Sequence, residues 1–387
     1  MRARPLRVAF FVQGEGRGHM TQALALKRIL EDGGHEVVAA FMGENPLRTI
    51  PEFFRTAFAA PIHTYLAPVF VVDPVDKGVR PWDSLFQALR RFPRYWRQGP
   101  DLDRTFRSYQ PDLVVNFYDL IGGLYSAVFR PQVPMVAVGH QFLFHHSEFE
   151  TPKERAFQVN MIRVNNLLTS LDARLRLALS FSPLSPVPYR RVRVVPPLLR
   201  REVLEAEPVD GRHLLAYVLN PGYSDELVAW HKEQSDLELH CFWDKTDAPP
   251  EYSPREGLTF HRLSSDTFLK LLASCRGYTS TAGFESVCEA AYLGKPISLV
   301  PTKKHVEQLC NALDAERAGL AVWREDFHLS DFLSKLESWD YEALEEYRRW
   351  VRSAPGTFLQ LLEAVALGKD AMQMKLASRA GGRVRIP

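Results

Sequence analysis

The sequence predicts an α/β protein made of two doubly wound parallel sheets in tandem, and three observations carry that prediction. Short, continuously apolar runs rich in β-branched and aromatic residues recur along the chain, as expected of strands buried on both faces. Helical patterns alternate with these runs, which is the grammar of βαβ units. Proline crowds one stretch, Ser180 to Leu199, after which the same alternation restarts. A chain of 387 residues exceeds what one hydrophobic core commonly supports, so two domains are expected, 1–199 and 200–387.

The first strand is "LRVAFFV". The helix after it carries Met20, Ala23, Leu24, Leu26 and Leu30 on one broad face and stops at Gly33 and Gly34. "HEVVAAF" is the second strand, and "PDLVVNF" and "VPMVAVG" supply two more. The stretch 80–109 breaks the alternation. It joins Trp82, Phe86, Phe92, Tyr95, Trp96 and Phe106 to Arg90, Arg91, Arg94, Arg97, Arg104 and Arg107, a helical insert with an apolar and a cationic side. Past residue 200 come "HLLAYVL", a Pro-Gly turn, a helix from about Asp225, and the strands "LELHCFW", "GLTFHRL", "GYTST" and "PISLVP". The tail from Met372 to Pro387 reads as a last helix with a frayed basic end.

Composition excludes several classes. With 46% hydrophobic and 24% charged residues the chain is an ordinary globular one, not a disordered one. The net charge of +2 conceals an asymmetry, with roughly 26 basic against 17 acidic residues up to Arg200 and roughly 22 against 29 after it. A basic first half suits an anionic membrane or phosphates, but no nucleic-acid module accompanies it, which argues against nucleic acid. Cys241, Cys275, Cys288 and Cys310 form no disulfide-like or metal-like spacing, and a cytoplasmic location is expected. The opening apolar run is too short for a membrane span and is read as a strand instead of an export signal.

Two motifs carry chemistry. "GEGRGH", with Gly14, Gly16, Gly18 and His19, follows the first strand. Its spacing is not GxGxxG and it lacks a Lys-Ser/Thr ending, so a nicotinamide cofactor and an ATP-type P-loop are both disfavoured. The second is residues 279 to 312, "TSTAGFESVCEAAYLGKPISLVPTKKHVEQLCNA". After a strand, a small turn at Ala282 and Gly283 opens a helix whose free N–H groups can hold a diphosphate without metal, aided by Ser280, Thr281 and Ser286 hydroxyls. Glu289, one turn on, can accept two ribose hydroxyls, and Glu307 and Gln308 are placed for sugar hydroxyls. His145 and His146 have no partners at metal-ligand spacing, and no metal is assigned.

This segment resembles the donor-binding region of GT-B glycosyltransferases, enzymes of two Rossmann-like domains facing across a cleft. The shared pattern is met by Gly283, Ser286, Glu289, Gly294 and Pro296, then Glu307, Gln308, Asn311 and Ala312. The likeness is strongest to a bacterial and archaeal group with a GFE signature, here Gly283, Phe284 and Glu285. The resemblance implies an acceptor domain at 1–199, a donor domain at 200–387, and a last helix packing back on the first domain. It also implies His19 as the base for the acceptor hydroxyl, with Asp119 orienting it. Gly16, Gly18 and His140 are placed at the acceptor or cleft, and Gly222 and Leu263 join the donor residues. Plant and animal members carry a histidine where this chain has Thr281, so phosphate contact falls to hydroxyl and backbone donors. Asp101 and Asp103 form the DxD that binds metal in a different glycosyltransferase fold, but here they read as a solvated turn.

The expected activity is therefore metal-independent, inverting transfer of a hexose from a nucleotide diphosphate sugar, with UDP the favoured nucleotide, to a hydroxyl on a small molecule, lipid or glycan. No cofactor is expected beyond that co-substrate. Two rivals share the fold: a nucleotide-sugar 2-epimerase, and a non-catalytic subunit that only binds the nucleotide sugar. The basic aromatic stretch adds an expectation of peripheral association with an anionic membrane.

Overall fold

A computed structural model describes residues 4–14, 16–44, 50–66, 97–218, 222–234, 236–245 and 247–374. The chain divides into two compact units, one of residues 1–148, 156–198 and 352–387, the other of 149–155 and 199–351. The segment from Arg352 onward thus belongs with the first unit, and Phe149 to Arg155 with the second.

In the first unit the strands are β1 (Arg7–Val12), β2 (Glu36–Glu44), β3 (Ile62–Leu66), β4 (Leu113–Phe117), β5 (Met135–Val138), β6 (Leu175–Leu179) and β7 (Val192–Val195). They form one parallel sheet in the order β3-β2-β1-β4-β5-β6-β7. Its helices up to residue 198 are α1 (Gly18–Asp32), α2 (Glu52–Phe58), α3 (Gly99–Ser108), α4 (Leu120–Phe129) and α5 (Ala156–Thr169). The central strand explains the continuous apolar run. Phe10 packs against Phe58 of α2 and Phe117, while its neighbour Phe11 packs against Phe41, Phe106 of α3 and Tyr125 of α4. Alternate side chains leave opposite faces of a strand, so both faces of β1 are covered. Each such ring contributes roughly 1.5–3 kcal/mol by burial.

The second unit holds α6 (Arg201–Glu205), β8 (Leu214–Val218), α7 (Gly222–His231), β9 (Leu239–Trp243), β10 (Glu251–Arg255), β11 (Leu258–Arg262) and α8 (Ser265–Ser274). It continues with β12 (Gly277–Ser280), α9 (Phe284–Tyr292), β13 (Ile297–Leu299), α10 (Val306–Arg317), β14 (Val322–Trp323), α11 (Ser330–Lys335) and α12 (Glu342–Arg352). The sheet order is β10-β11-β9-β8-β12-β13-β14, parallel except for β10 on β11. Trp230, Trp243, Phe260 and Phe332 anchor its core on one side.

Some expectations need correcting. The proline-rich stretch is not only a connection, because Val192 to Val195 within it is a buried strand pairing with β6. The last helix among the described residues, α13 (Ala354–Ala366), ends before Met372, and residues 375–387 lie outside those described. It packs on α1, with Leu359 against Gly33 and Glu363 3.1 Å from His35. Residues 67–96, most of the basic aromatic stretch, also lie outside the described residues. Of its remainder, Phe106 is core, Arg107 pairs with Asp103 and Arg104 with Asp101. Asp103 also accepts from the Tyr125 hydroxyl at 2.7 Å, so the DxD carboxylates lie on helix α3 and serve local contacts.

Candidate active site

In the first unit the chain leaves β1 through the glycine turn. Gly14 is required sterically, since a Cβ there would lie 1.9 Å from the Gly43 carbonyl oxygen. Gly16 has φ +84°, a conformation that glycine adopts without strain. Gly18 begins α1, and no side chain caps it. The half-buried His19 follows, its Nδ1 3.3 Å from Gln22 Oε1 and its ring stacked on Tyr118 at 5.5 Å.

Tyr118 sits directly after β4 with φ 60°, an uncommon conformation for a bulky residue, and donates its hydroxyl to Asn166 at 2.6 Å. The adjoining Asp119 caps α4: its Oδ1 accepts from Gly122 N–H at 2.7 Å and from the Tyr65 hydroxyl at 2.5 Å. Asn116 locks the same loop by bonding both the N–H and the carbonyl of Asp119. Burial pushes the Asp119 carboxyl up to about 6, against the pull of Tyr65 and the backbone N–H groups. The contacts of His19 thus include the residue before Asp119, a tyrosine the sequence reading did not single out. His140 turns inward, only 1% exposed, with Nδ1 2.9 Å from the Leu179 carbonyl; it does not line an open surface.

In the second unit β12 runs into Thr281, Ala282 at φ 59° and Gly283, which is the N-cap of α9. Its N-cap is a glycine and so offers no side-chain cap of its own, and its first internal bond is Val287 N–H to the Gly283 carbonyl. The amides of its opening turn are therefore of the kind that bind anions. Asn311 of α10 clamps the turn from behind, donating to the Ala282 carbonyl at 3.1 Å.

The hydroxyls assigned to phosphate are placed differently from expectation. Ser280, the last residue of β12, and Thr281 after it are each 1% exposed, and Ser286 donates back to the Gly283 carbonyl. Gly283 and Glu285 are the half-buried residues of the turn, and Phe284 is buried. Gln308 is buried with its carbonyl accepting from Thr302 N–H at 2.9 Å, and Glu307 is half-buried in the first turn of α10. Gly222 is exposed at the start of α7, and Leu263 is half-buried between β11 and α8.

Glu289 brings the largest departure. Its carboxylate is buried and accepts two hydrogen bonds from Arg200, at 2.6 and 3.0 Å. Burial raises its pKa and Arg200 opposes the rise. Sequence reasoning missed Arg200; the available clue was that a carboxylate on an internal helix face requires a cation. Among the described residues no cluster of three or more metal-binding side chains occurs, and no helix is long and apolar enough to cross a membrane.

Two doubly wound sheets, the first opened by a glycine turn and the second carrying a helix that starts at a small-residue turn, define the GT-B class of glycosyltransferase. The chain belongs to glycosyl transferase family 1, whose model matches residues 6–337. It is 25% identical to an uncharacterized glycosyltransferase of Methanosarcina acetivorans, the alignment covering 98% of each chain. Among solved structures it is similar to the calicheamicin glycosyltransferase CalG4, at TM-score 0.61 and 17% identity over 95% of this chain and 99% of that one. It is similar also to Phytolacca americana UGT2 complexed with UDP-2fluoro-glucose and pterostilbene, at TM-score 0.62 and 15% identity over 95% and 100%. The protein is a glycosyltransferase.

Proposed function

We propose that the protein moves a hexose from a nucleotide diphosphate sugar, with UDP the favoured nucleotide, to an acceptor hydroxyl with inversion and without metal. The observation that carries the reading is the glycine-initiated start of α9 beside the buried Arg200–Glu289 pair. Helix amides aimed at a pyrophosphate stabilise the negative charge that develops on the leaving group, so no metal is needed for that task. Glu289 takes the ribose, and Glu307 and Gln308 the sugar. His19, half-buried on Tyr118, removes the acceptor proton as the oxygen attacks the anomeric carbon. Asp119 acts by fixing the loop that carries Tyr118. Inversion follows from that single direct displacement, and no cofactor takes part beyond the co-substrate.

Similar proteins support the donor class, since one solved relative holds UDP-2fluoro-glucose and another thymidine diphosphate. A cytoplasmic setting accords with four cysteines that are all free thiols. Peripheral association with an anionic bilayer completes the proposal. Supporting it, α5 exposes Phe157, Met161, Val164 and Leu168, spaced to lie along one face, and Arg190 and Arg191 follow the highly exposed Tyr189. The test is the product. Proton NMR of a glycosylated acceptor should show the anomer opposite to the donor's, chelator should leave the rate unchanged, and His19→Ala should lower kcat by roughly 10²–10⁴-fold with donor affinity kept. Retention, or epimerised donor formed without acceptor, overturns the reading.

A further inference from the structure

Arg200 is the N-cap residue of α6, in the segment that enters the second unit, and Glu289 lies 89 residues on in α9. Its Nε donates to Oε1 at 2.6 Å and its Nη2 to Oε2 at 3.0 Å, so the two planar groups meet along two parallel bonds. The third nitrogen, Nη1, donates to the hydroxyl of Ser265, the first residue of α8. One guanidinium therefore ties three elements together around the carboxylate. The pair is well shielded, with side chains 18% and 7% exposed.

We infer that Arg200 is a positioning residue for nucleotide recognition, fixing the plane of the Glu289 carboxylate so that its unused acceptor sites take the two ribose hydroxyls. The inference rests on the ribose reading of Glu289 given above. An ionised carboxylate offers about four acceptor sites, two on each oxygen. The guanidinium uses one on each, which leaves one on each for a diol. Without the arginine, a carboxylate this buried takes up a proton and presents a donor where an acceptor is needed. Lysine cannot replace the fork, because an ammonium is a point charge with no fixed plane. The competing arrangement is a lock, in which the guanidinium fills the ribose position and must leave before nucleotide binds.

The experiment compares UDP with 2′,3′-dideoxy-UDP by calorimetric titration on the full chain, in wild type, Glu289→Gln, Arg200→Ala and Arg200→Lys. Hydrogen bonds to a charged group predict that wild type favours UDP by roughly 10- to 150-fold. Arg200→Ala should bring that preference near unity and recover it in part as pH rises and Glu289 ionises, while dideoxy-UDP binding stays within a few fold of wild type. Arg200→Lys, which keeps the charge and preserves the fold if the alanine variant does not, should retain a weakened preference. Lack of a UDP preference in wild type, or a preference untouched by Glu289→Gln, defeats the ribose reading itself. A preference lost in Glu289→Gln but kept in both Arg200 variants defeats the positioning role alone. Tighter UDP binding by Arg200→Ala establishes the lock instead.

Discussion

Replacing Asp119 by asparagine should make the protein more stable at neutral pH. The carboxyl is 3% exposed, and burial lifts it from the ordinary 3.8 to about 6. A group whose folded pKa is raised contributes stability that is fully present below its unfolded pKa and is lost as pH rises through the folded one. At pH 8 the folded chain therefore carries an ionised, buried carboxylate at a cost of about 3 kcal/mol as an upper figure. Asparagine keeps an oxygen for the Tyr65 hydroxyl and the Gly122 N–H and remains a good N-cap, but it carries no charge. Its amide group loses something against the Ile121 N–H, which lies on the carboxylate in the native chain. A net gain of about 2 kcal/mol corresponds to a rise of roughly 4–8 °C in Tm for a unit of this size. Thermal melts of both proteins from pH 4.5 to 8.5 measure it. The gap should be widest at pH 8 and should close toward pH 4.5. A variant less stable than wild type at pH 8, or a gap that ignores pH, refutes the reasoning.

Further outcomes follow from neighbouring features. His145 is held down to about 4 by burial and by Arg190, Arg176 and Arg163, so the opposite sign applies: stability is present above about 6.5 and is lost as pH falls toward 4. Urea midpoints at pH 7.5 and 5 should differ less in His145→Gln than in wild type. Gly14→Ala forces its Cβ into the Gly43 carbonyl and should cost about 1–3 kcal/mol, read as a lower urea midpoint, while displacing the turn that carries His19. Tyr118→Phe keeps the stack on His19 and loses the bond to Asn166; Tyr118→Ala loses both, so kcat should fall far more in the second than in the first.

The architecture was legible where burial left a mark on composition. β1, β2, β4 and β5 lie inside a sheet covered on both faces, so they read as unbroken apolar runs. β10 did not, because "EYSPR" is an exposed edge strand containing proline, and β7 was hidden among the prolines that surround it. At the site, spacing within one helix or turn was readable, as with Gly283 and Glu289. What a side chain meets from a distant segment was not. Arg200 reaches Glu289 across 89 residues, and Tyr65 reaches Asp119 across 54. The inward turn of Ser280 and Thr281 is likewise a matter of packing, which a motif does not record.

Hydrogen exchange read by mass spectrometry, with and without saturating UDP, tests most directly whether amides at the start of α9 hold the nucleotide. Slowed exchange concentrated in peptides spanning residues 281 to 289 is the predicted result. Saturated binding that leaves those peptides unchanged and protects another part of the chain contradicts it.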